Sequence, residues 1–243
     1  SRIFSAFEDG NELLPIHQQL KSELINYVKD KTNVELDKNK LLIGFARRAA
    51  PYKRADLIFK KMDVIKPYLK NNKIQLIFSG KAHPLDDKGK DLVARIINMT
   101  EEFPNSVIFL EDYNMEIAKM MTRGVDVWLN NPRRPKEASG TSGMKAAMNG
   151  VLNLSILDGW WPEACQHGMN GWQFGDGYMG ENQDRHDLES LYRVLFNEVL
   201  PTYYENKEQW EEMMNNSIES TYEDFSARKM LENYYLKMYR KIK

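Results

Sequence analysis

The chain has 243 residues, room for one large domain or two small ones around a sizeable core, and its 34 Lys+Arg against 35 Asp+Glu leave it nearly neutral. That balance excludes a global field for nucleic acid or an anionic membrane, so any basic function must be local. The single cysteine, Cys165, excludes an intramolecular disulfide framework and a multi-cysteine metal cluster, and thirteen methionines suit a reducing, cytoplasmic setting.

The N-terminus, SRIFSAFEDGNELLP, has no basic stretch followed by an apolar core, and no run approaches the ~20 apolar residues of a membrane span. A chain that opens on Ser is expected to be a piece of a longer protein. Ile16, Leu20, Leu24 and Val28 form one stripe at helical spacing, which predicts a helix ahead of the first strand. Short apolar runs then predict strands at LLIGFA (41–46), IQLIFSG (74–80), VIFLED (107–112), VDVWLN (125–130), VLNLSIL (151–157) and, more weakly patterned, GWQF (171–174). Between them, apolar residues three or four apart (Leu57, Ile58 and Ile65, then Leu92, Ile96 and Ile97) predict helices. The alternation specifies an α/β chain with a doubly wound, Rossmann-like parallel sheet. After residue 180 three helical segments follow, with Ser226 as N-cap of the last and Trp210, Met213 and Met214 as a packing stripe. The expected organisation is one domain: a leading helical segment 1–40, a core 41–180 and a helical tail 181–243.

In such sheets ligands bind beyond the carboxyl ends of the strands. Directly after the first strand, ARRAAPYKR carries Arg47, Arg48, Lys53 and Arg54. Cations at a helix start oppose the backbone dipole, so either this is a solvated helix start or an anion is to be bound there. Arg offers a planar fork and Lys a point charge, a pairing suited to one or two phosphates. In EASGTSGMKAAMNG, Gly140, Thr141, Ser142 and Gly143 lead into a helix carrying Lys145 about one turn in. Free N–H groups at that start form an anion cradle; the plainer reading is a hydroxyl-capped helix with a solvated lysine. A Walker loop is excluded, because Lys145 is followed by Ala146 and not by Ser or Thr. A phosphate at the loop with a reactive carbon near the amine fits pyridoxal phosphate, and a lysine in apolar surroundings has the lowered pKa that favours a Schiff base.

Other residues read more plainly. Cys165-Gln166-His167 lacks a second pair for a metal site and reads as a loop. His83 reads as a polar loop residue, and Trp160 and Trp161 either stack on a sugar, close the core edge or bury against a missing domain. No motif requires a metal.

The segments GFARRAAPYKRADLIF, IFSGKAHP, VIFLEDYNMEIAKMM and EASGTSGMKAAMNGVLNLSILDGWWPE resemble the C-terminal half of α-glucan (glycogen, starch or maltodextrin) phosphorylases, over about residues 40–180. EASGTSGMKAAMNG is similar to the cofactor-attachment segment of the short bacterial and archaeal branch. The resemblance implies the Rossmann-like C-terminal half of a glycosyltransferase-B fold, with its N-terminal domain as the missing partner and an isolated half that folds without catalysing phosphorolysis. It implies a Schiff base between Lys145 and pyridoxal phosphate, with Gly140, Thr141, Ser142, Arg47 and Lys53 at the cofactor phosphate and Tyr113 packed by its ring. It implies Arg48 on the substrate phosphate, and Glu137 with the Ala138-Ser139-Gly140 backbone on the donor glucose. Lys53, Arg48 and Glu137 would then act at the reacting groups, on α-1,4-glucan, inorganic phosphate and glucose 1-phosphate. A homodimer is implied as well. Arg47 departs from the lysine of the animal branch, keeping the charge but changing the contact geometry. Retaining nucleotide-sugar transferases of the same architecture carry a second Glu separated from the first by seven intervening residues; here Lys145 stands in that place after Glu137. That replacement favours a phosphorylase over a glycogen-synthase-like transferase; a cofactor-binding module without catalysis stays as a further alternative.

Overall fold

Six apolar runs become the strands β1 (Leu41–Ala46), β2 (Ile74–Ser79), β3 (Val107–Leu110), β4 (Val127–Asn130), β5 (Leu152–Ile156) and β6 (Gly171–Phe174) in a computed structural model that describes residues 1–240. They form one sheet in the order β3-β2-β1-β4-β5-β6, every neighbouring pair parallel. The register runs from Leu41 beside Ile74 to Ala46 beside Ser79 in the β1–β2 pair, and from Val127 beside Leu152 to Asn130 beside Ser155 in the β4–β5 pair. The expected doubly wound, Rossmann-like parallel sheet is the observed one.

Alternation along the strands explains why the runs are apolar throughout. Leu41, Ile43 and Phe45 of β1 pack into one core, and Leu42 and Ala46 into another on the opposite face. The helices are α1 (Arg2–Glu8), α2 (Leu13–Thr32), α3 (Met62–Lys70), α4 (Asp87–Glu102), α5 (Met115–Gly124) and α6 (Thr141–Ala147). They continue with α7 (Trp161–Ala164), α8 (Gln183–Val194), α9 (Leu200–Glu205), α10 (Lys207–Phe225) and α11 (Ala227–Tyr234). Ile65 and Leu69 of α3, Leu92 and Ile96 of α4, and Leu188 and Leu191 of α8 join the first core. Leu24 and Val28 of α2 meet Ile117 and Met121 of α5 in the second. Burying each such side chain contributes about 1.5–3 kcal/mol relative to exposure.

Three local readings differ from the expectation. Leu57 and Ile58 form a separate 3-10 turn, Leu57–Phe59, ahead of α3 and not one helix with Ile65. Ile97 is turned outward, because only Leu92 and Ile96 lie on the sheet-facing side of α4. A short helix, α1, precedes the expected α2. Beyond β6, α8 runs into α9 through a π turn, and α10 and α11 follow. Ser226 caps α11, its Oγ accepting from the Lys229 N–H at 3.2 Å, and Trp210, Met213 and Met214 are buried. Among the described residues no helix is long and apolar enough to cross a membrane.

At the amino ends of β1 and β4 the chain buries charge. Asp126 receives the Lys21 ammonium at 2.5 Å on Oδ2 and the His17 ring at 3.0 Å on Oδ1, and all three side chains are buried. Lys21 also donates to the Lys40 carbonyl at 2.6 Å and to Tyr203 Oη at 2.9 Å, so its three donors are all engaged. The cluster fastens α2 and α9 to the sheet, at the end opposite to the strand carboxyl termini.

Candidate functional site

From β1 the chain winds outward to β2 and β3, then returns to β4 on the other side of β1. The loops leaving β1 and β4 therefore diverge and open a crevice at their carboxyl ends, the place where a doubly wound sheet takes its ligand. Arg47 and Arg48 follow β1 directly, and Glu137 lies in the loop between β4 and α6. Tyr113 follows β3.

Here side chains far apart in sequence meet. The Arg47 guanidinium donates from Nη2 to Glu137 Oε1 at 2.7 Å and from Nη1 to Asn130 Oδ1. Lys53, at the end of the 3-10 turn Pro51–Lys53, donates its ammonium to the other Glu137 oxygen and lies 4.7 Å from the centre of the Tyr52 ring. Burial by itself would push the Glu137 carboxyl up; the hydrogen bonds from Lys53 and Arg47, with their charges, outweigh it and hold the group below the usual carboxylate range. The carboxylate is therefore charged throughout the neutral range. Tyr113 is half-buried beside this cluster: burial raises its phenol, and the nearby positive Arg47 partly opposes that rise.

Two residues that sequence reasoning did not single out hold the arrangement in place. Asn130, the last residue of β4, accepts from Arg47 and donates to Ser155 Oγ on β5 at 2.9 Å. Asp158, just after β5, accepts the Glu137 backbone N–H at 3.0 Å and that of Gly159 at 2.9 Å. Position was the available signal, since each sits at a strand carboxyl end where a buried polar residue has no place in a plain apolar core. Gly159 has φ +62°, and a Cβ there would stand 2.3 Å from the Ser139 carbonyl oxygen, which accepts the Trp160 N–H at 3.0 Å. Gly159→Ala is accordingly expected to cost about 1–3 kcal/mol of stability, read as a lower denaturant midpoint. A midpoint equal to that of the parent chain would contradict the close approach of these loops.

The glycine-hydroxyl loop leads into α6 as expected. Its N-cap, Gly140, has φ +86°, and neither Thr141 nor Ser142 caps the helix, which removes the hydroxyl-cap reading and leaves the first N–H groups without intrahelical partners. A Cβ on Gly140 would lie 3.4 Å from Glu137 Oε1 and 3.7 Å from Arg47 Nη2, so the Arg47–Glu137 ion pair borders the loop directly. Gly143 lets α6 press against β5: a Cβ there would meet Asn153 Oδ1 and Trp160 Nε1, both at 2.8 Å.

Lys145 requires a correction. The sequence sets it among Met144, Ala146 and Ala147, but helical spacing buries Gly143, Ala146 and Ala147 and turns Lys145 outward, so its amine is exposed and not in an apolar pocket. Arg48, Ala138, Ser139 and Thr141 are exposed too, facing solvent around the loops. The remaining residues fall on the plainer side. Trp160 and Trp161 are buried with Ala147 and Ala164 and close a core edge, which removes the sugar-stacking alternative. His167 receives the Gln173 N–H on Nδ1 at 3.1 Å and meets Glu198 at 2.7 Å through Nε2, while burial pushes the Cys165 thiol up to about 12. His83 is an exposed loop residue that accepts the Leu85 N–H at 3.1 Å.

Comparison with known proteins bears on this arrangement. The carbohydrate phosphorylase family model matches residues 6–170. The chain is 45% identical to the maltodextrin phosphorylase of Thermococcus litoralis, over 95% of this chain and 30% of that protein. It is 44% identical to the glycogen phosphorylase of Aquifex aeolicus over 95% of this chain and 37% of that protein. With the glycogen phosphorylase of Mycobacterium tuberculosis the identity is 39%, over 93% of this chain and 29% of that protein. The chain thus spans about a third of the length of these relatives.

Proposed function

The chain belongs to the carbohydrate phosphorylase family, and we propose that it is the cofactor-binding portion of a pyridoxal phosphate-dependent α-1,4-glucan phosphorylase, which converts glucan and inorganic phosphate into glucose 1-phosphate and a shortened glucan. One observation carries the reading: Arg47 and Lys53 converge on Glu137 beside the uncapped start of the helix that bears Lys145.

The residues fit a phosphate-bearing coenzyme. Backbone N–H groups from Thr141 onward and the Arg47 and Lys53 cations form a donor set for a phosphate monoester, and the loop glycine lets it approach the backbone closely. Lys145, exposed one turn inside, is the amine that would attach the coenzyme, and Tyr113 supplies a half-buried ring beside Arg47. When bound, pyridoxal phosphate supplies a phosphate group able to exchange a proton near neutral pH.

The chain's own residues then have separable tasks. Two phosphates close together repel strongly, and Arg47, Lys53, Arg48 and the helix start offset that repulsion. Arg48, exposed at the end of β1, meets the substrate phosphate. Glu137 accepts hydrogen bonds from Arg47 and Lys53 as the cofactor-free chain stands. Placed by Asp158 through its backbone, it orients those cations and, with the Ala138-Ser139-Gly140 backbone, receives a hydroxyl of the donor glucose. The acceptor glucan would be held by a partner domain, as the relatives' greater length supports, so the 243 residues alone are expected to form no glucose 1-phosphate. Cytoplasmic location and a homodimeric whole protein belong to the same reading.

Arg48→Ala is expected to keep the cofactor while weakening radiolabelled phosphate binding to the cofactor-loaded chain by at least about tenfold, since a charge-assisted pair contributes about 1.5–3 kcal/mol. Equilibrium dialysis decides it. Unchanged phosphate affinity would remove Arg48 from the role, and tighter binding of UDP-glucose than of phosphate at the crevice would favour the nucleotide-sugar transferase instead.

A further inference from the structure

A second groove, with a volume of about 530 Å³, lies between α4, α8 and the segment 51–61, and none of Arg47, Lys53 or Glu137 lines it. Its floor is apolar, made by the buried Leu57, Leu92 and Leu188. Its rim is cationic, with Lys60, Lys61, Lys88, Arg95, Arg133 and Arg185 outnumbering the lining carboxylates Asp56, Asp91 and Asp184. In a chain whose net charge is -1 this is a local concentration of positive charge.

The ion pairs at the rim do not neutralise it. Asp56 Oδ2 is shared by Lys60 at 2.7 Å and Arg95 at 3.1 Å, and Glu189 Oε1 by Lys61 and Arg185, each at 3.0 Å. Asp184 is shared by Arg54 and Arg133. Each of these carboxylates therefore serves two cations. Arg95 and Arg185 meet their carboxylates through Nε, which leaves the terminal nitrogens of both guanidinium groups without a partner among the described residues. Lys88 has no ion pair among those residues either. Beneath the rim, buried Arg54 is ion-paired with Asp187 at 2.8 Å and donates to the Asn131 and Pro132 carbonyls, each at 2.8 Å.

From this we propose that the groove is a second ligand site, separate from the crevice, and that it takes an organic phosphate with a planar or apolar body of about nucleoside-monophosphate size. The volume exceeds what a lone phosphate needs, and a leucine floor repays only a ligand with apolar surface to bury. Free guanidinium forks suit phosphate oxygens, and neutral glucan offers this rim no charge to meet. The inference is independent of the reaction proposed above.

The test is isothermal titration of the 243-residue chain with 1-naphthyl phosphate, and with 1-naphthol and inorganic phosphate as its two halves. The expected result is saturable binding of 1-naphthyl phosphate at least about tenfold tighter than either half, weakened by added salt. Lys88→Glu with Arg95→Glu should loosen it by at least about tenfold, roughly 1.4 kcal/mol, and Arg185→Glu, at an exposed position, should act in the same direction if the double variant fails to fold. Glu137→Gln and Arg48→Ala should change it less than about twofold. No saturation below millimolar, equal binding of 1-naphthol, indifference to charge reversal, or loss in Arg48→Ala would each overturn the proposal.

Discussion

Asp126→Asn is expected to lower the stability of the chain by about 3–5 kcal/mol, the usual result of removing one partner from a buried ion pair. The substitution leaves the Lys21 ammonium fully buried with only neutral acceptors, the Lys40 carbonyl and Tyr203 Oη. It also weakens the anchor of Leu42, whose N–H donates to Asp126 Oδ2 at 2.8 Å. For a chain of this size the midpoint of thermal unfolding should fall on the order of 10 °C. Replacing Lys21 and Asp126 together by Met and Leu should cost much less than the sum of the single changes, because no charge is then left unpaired. Burial alone would raise the Asp126 carboxyl, but the charge of Lys21 and the bond from His17 hold it below the usual range. A carboxyl depressed in the folded state adds stability above its unfolded pKa of about 3.9, and that stability is lost as pH falls through the folded value. The difference between parent and Asp126→Asn should therefore be full at pH 7 and shrink below about pH 4. Equal midpoints at pH 7 would show that the cluster contributes nothing.

Lys145→Ala is expected to abolish retention of pyridoxal phosphate through gel filtration. Without a covalent link the coenzyme rests on the helix start and on cations already engaged by Glu137, and contacts of that kind give affinities on the order of millimolar, which desalting removes. The exposure of Lys145 sharpens the prediction, because an outward-facing amine on α6 can be deleted with little effect on the core. Its thermal midpoint should stay within about 2 °C of the parent chain. Coenzyme retained by the variant would place the attachment elsewhere.

Much of the fold was legible because the sheet is buried on both faces, so each strand reads as an apolar run with its ends near the real ones. LLIGFA and GWQF coincide with β1 and β6. The 3-10 turn at Leu57–Phe59 was not legible, since residues three apart look alike in a turn and in a helix. Polar residues inside the apolar stripe of α2 were a signal left unused. His17 and Lys21 lie one turn apart on the face that carries Leu20, Leu24 and Val28, and only Asp126, over a hundred residues later, explains them. ARRAAPYKR and EASGTSGMKAAMNG lie, as their position after apolar runs suggested, beyond the carboxyl ends of β1 and β4. The bond from Arg47 to Asn130 and the support of Glu137 by Asp158 depend on which strands lie side by side, which no local pattern encodes. The environment of Lys145 was misread for the converse reason: neighbours in sequence are not neighbours on a helix, and Ala146 and Ala147 face the core while Lys145 faces out.

The account turns on α6 and its cation neighbours holding a coenzyme through one amine. Incubating the chain with pyridoxal phosphate, reducing with borohydride and mapping the peptides by mass should place a single pyridoxyl group on Lys145 at stoichiometric coenzyme. Label scattered over exposed lysines in proportion to their reactivity, with no preference for Lys145, would contradict it.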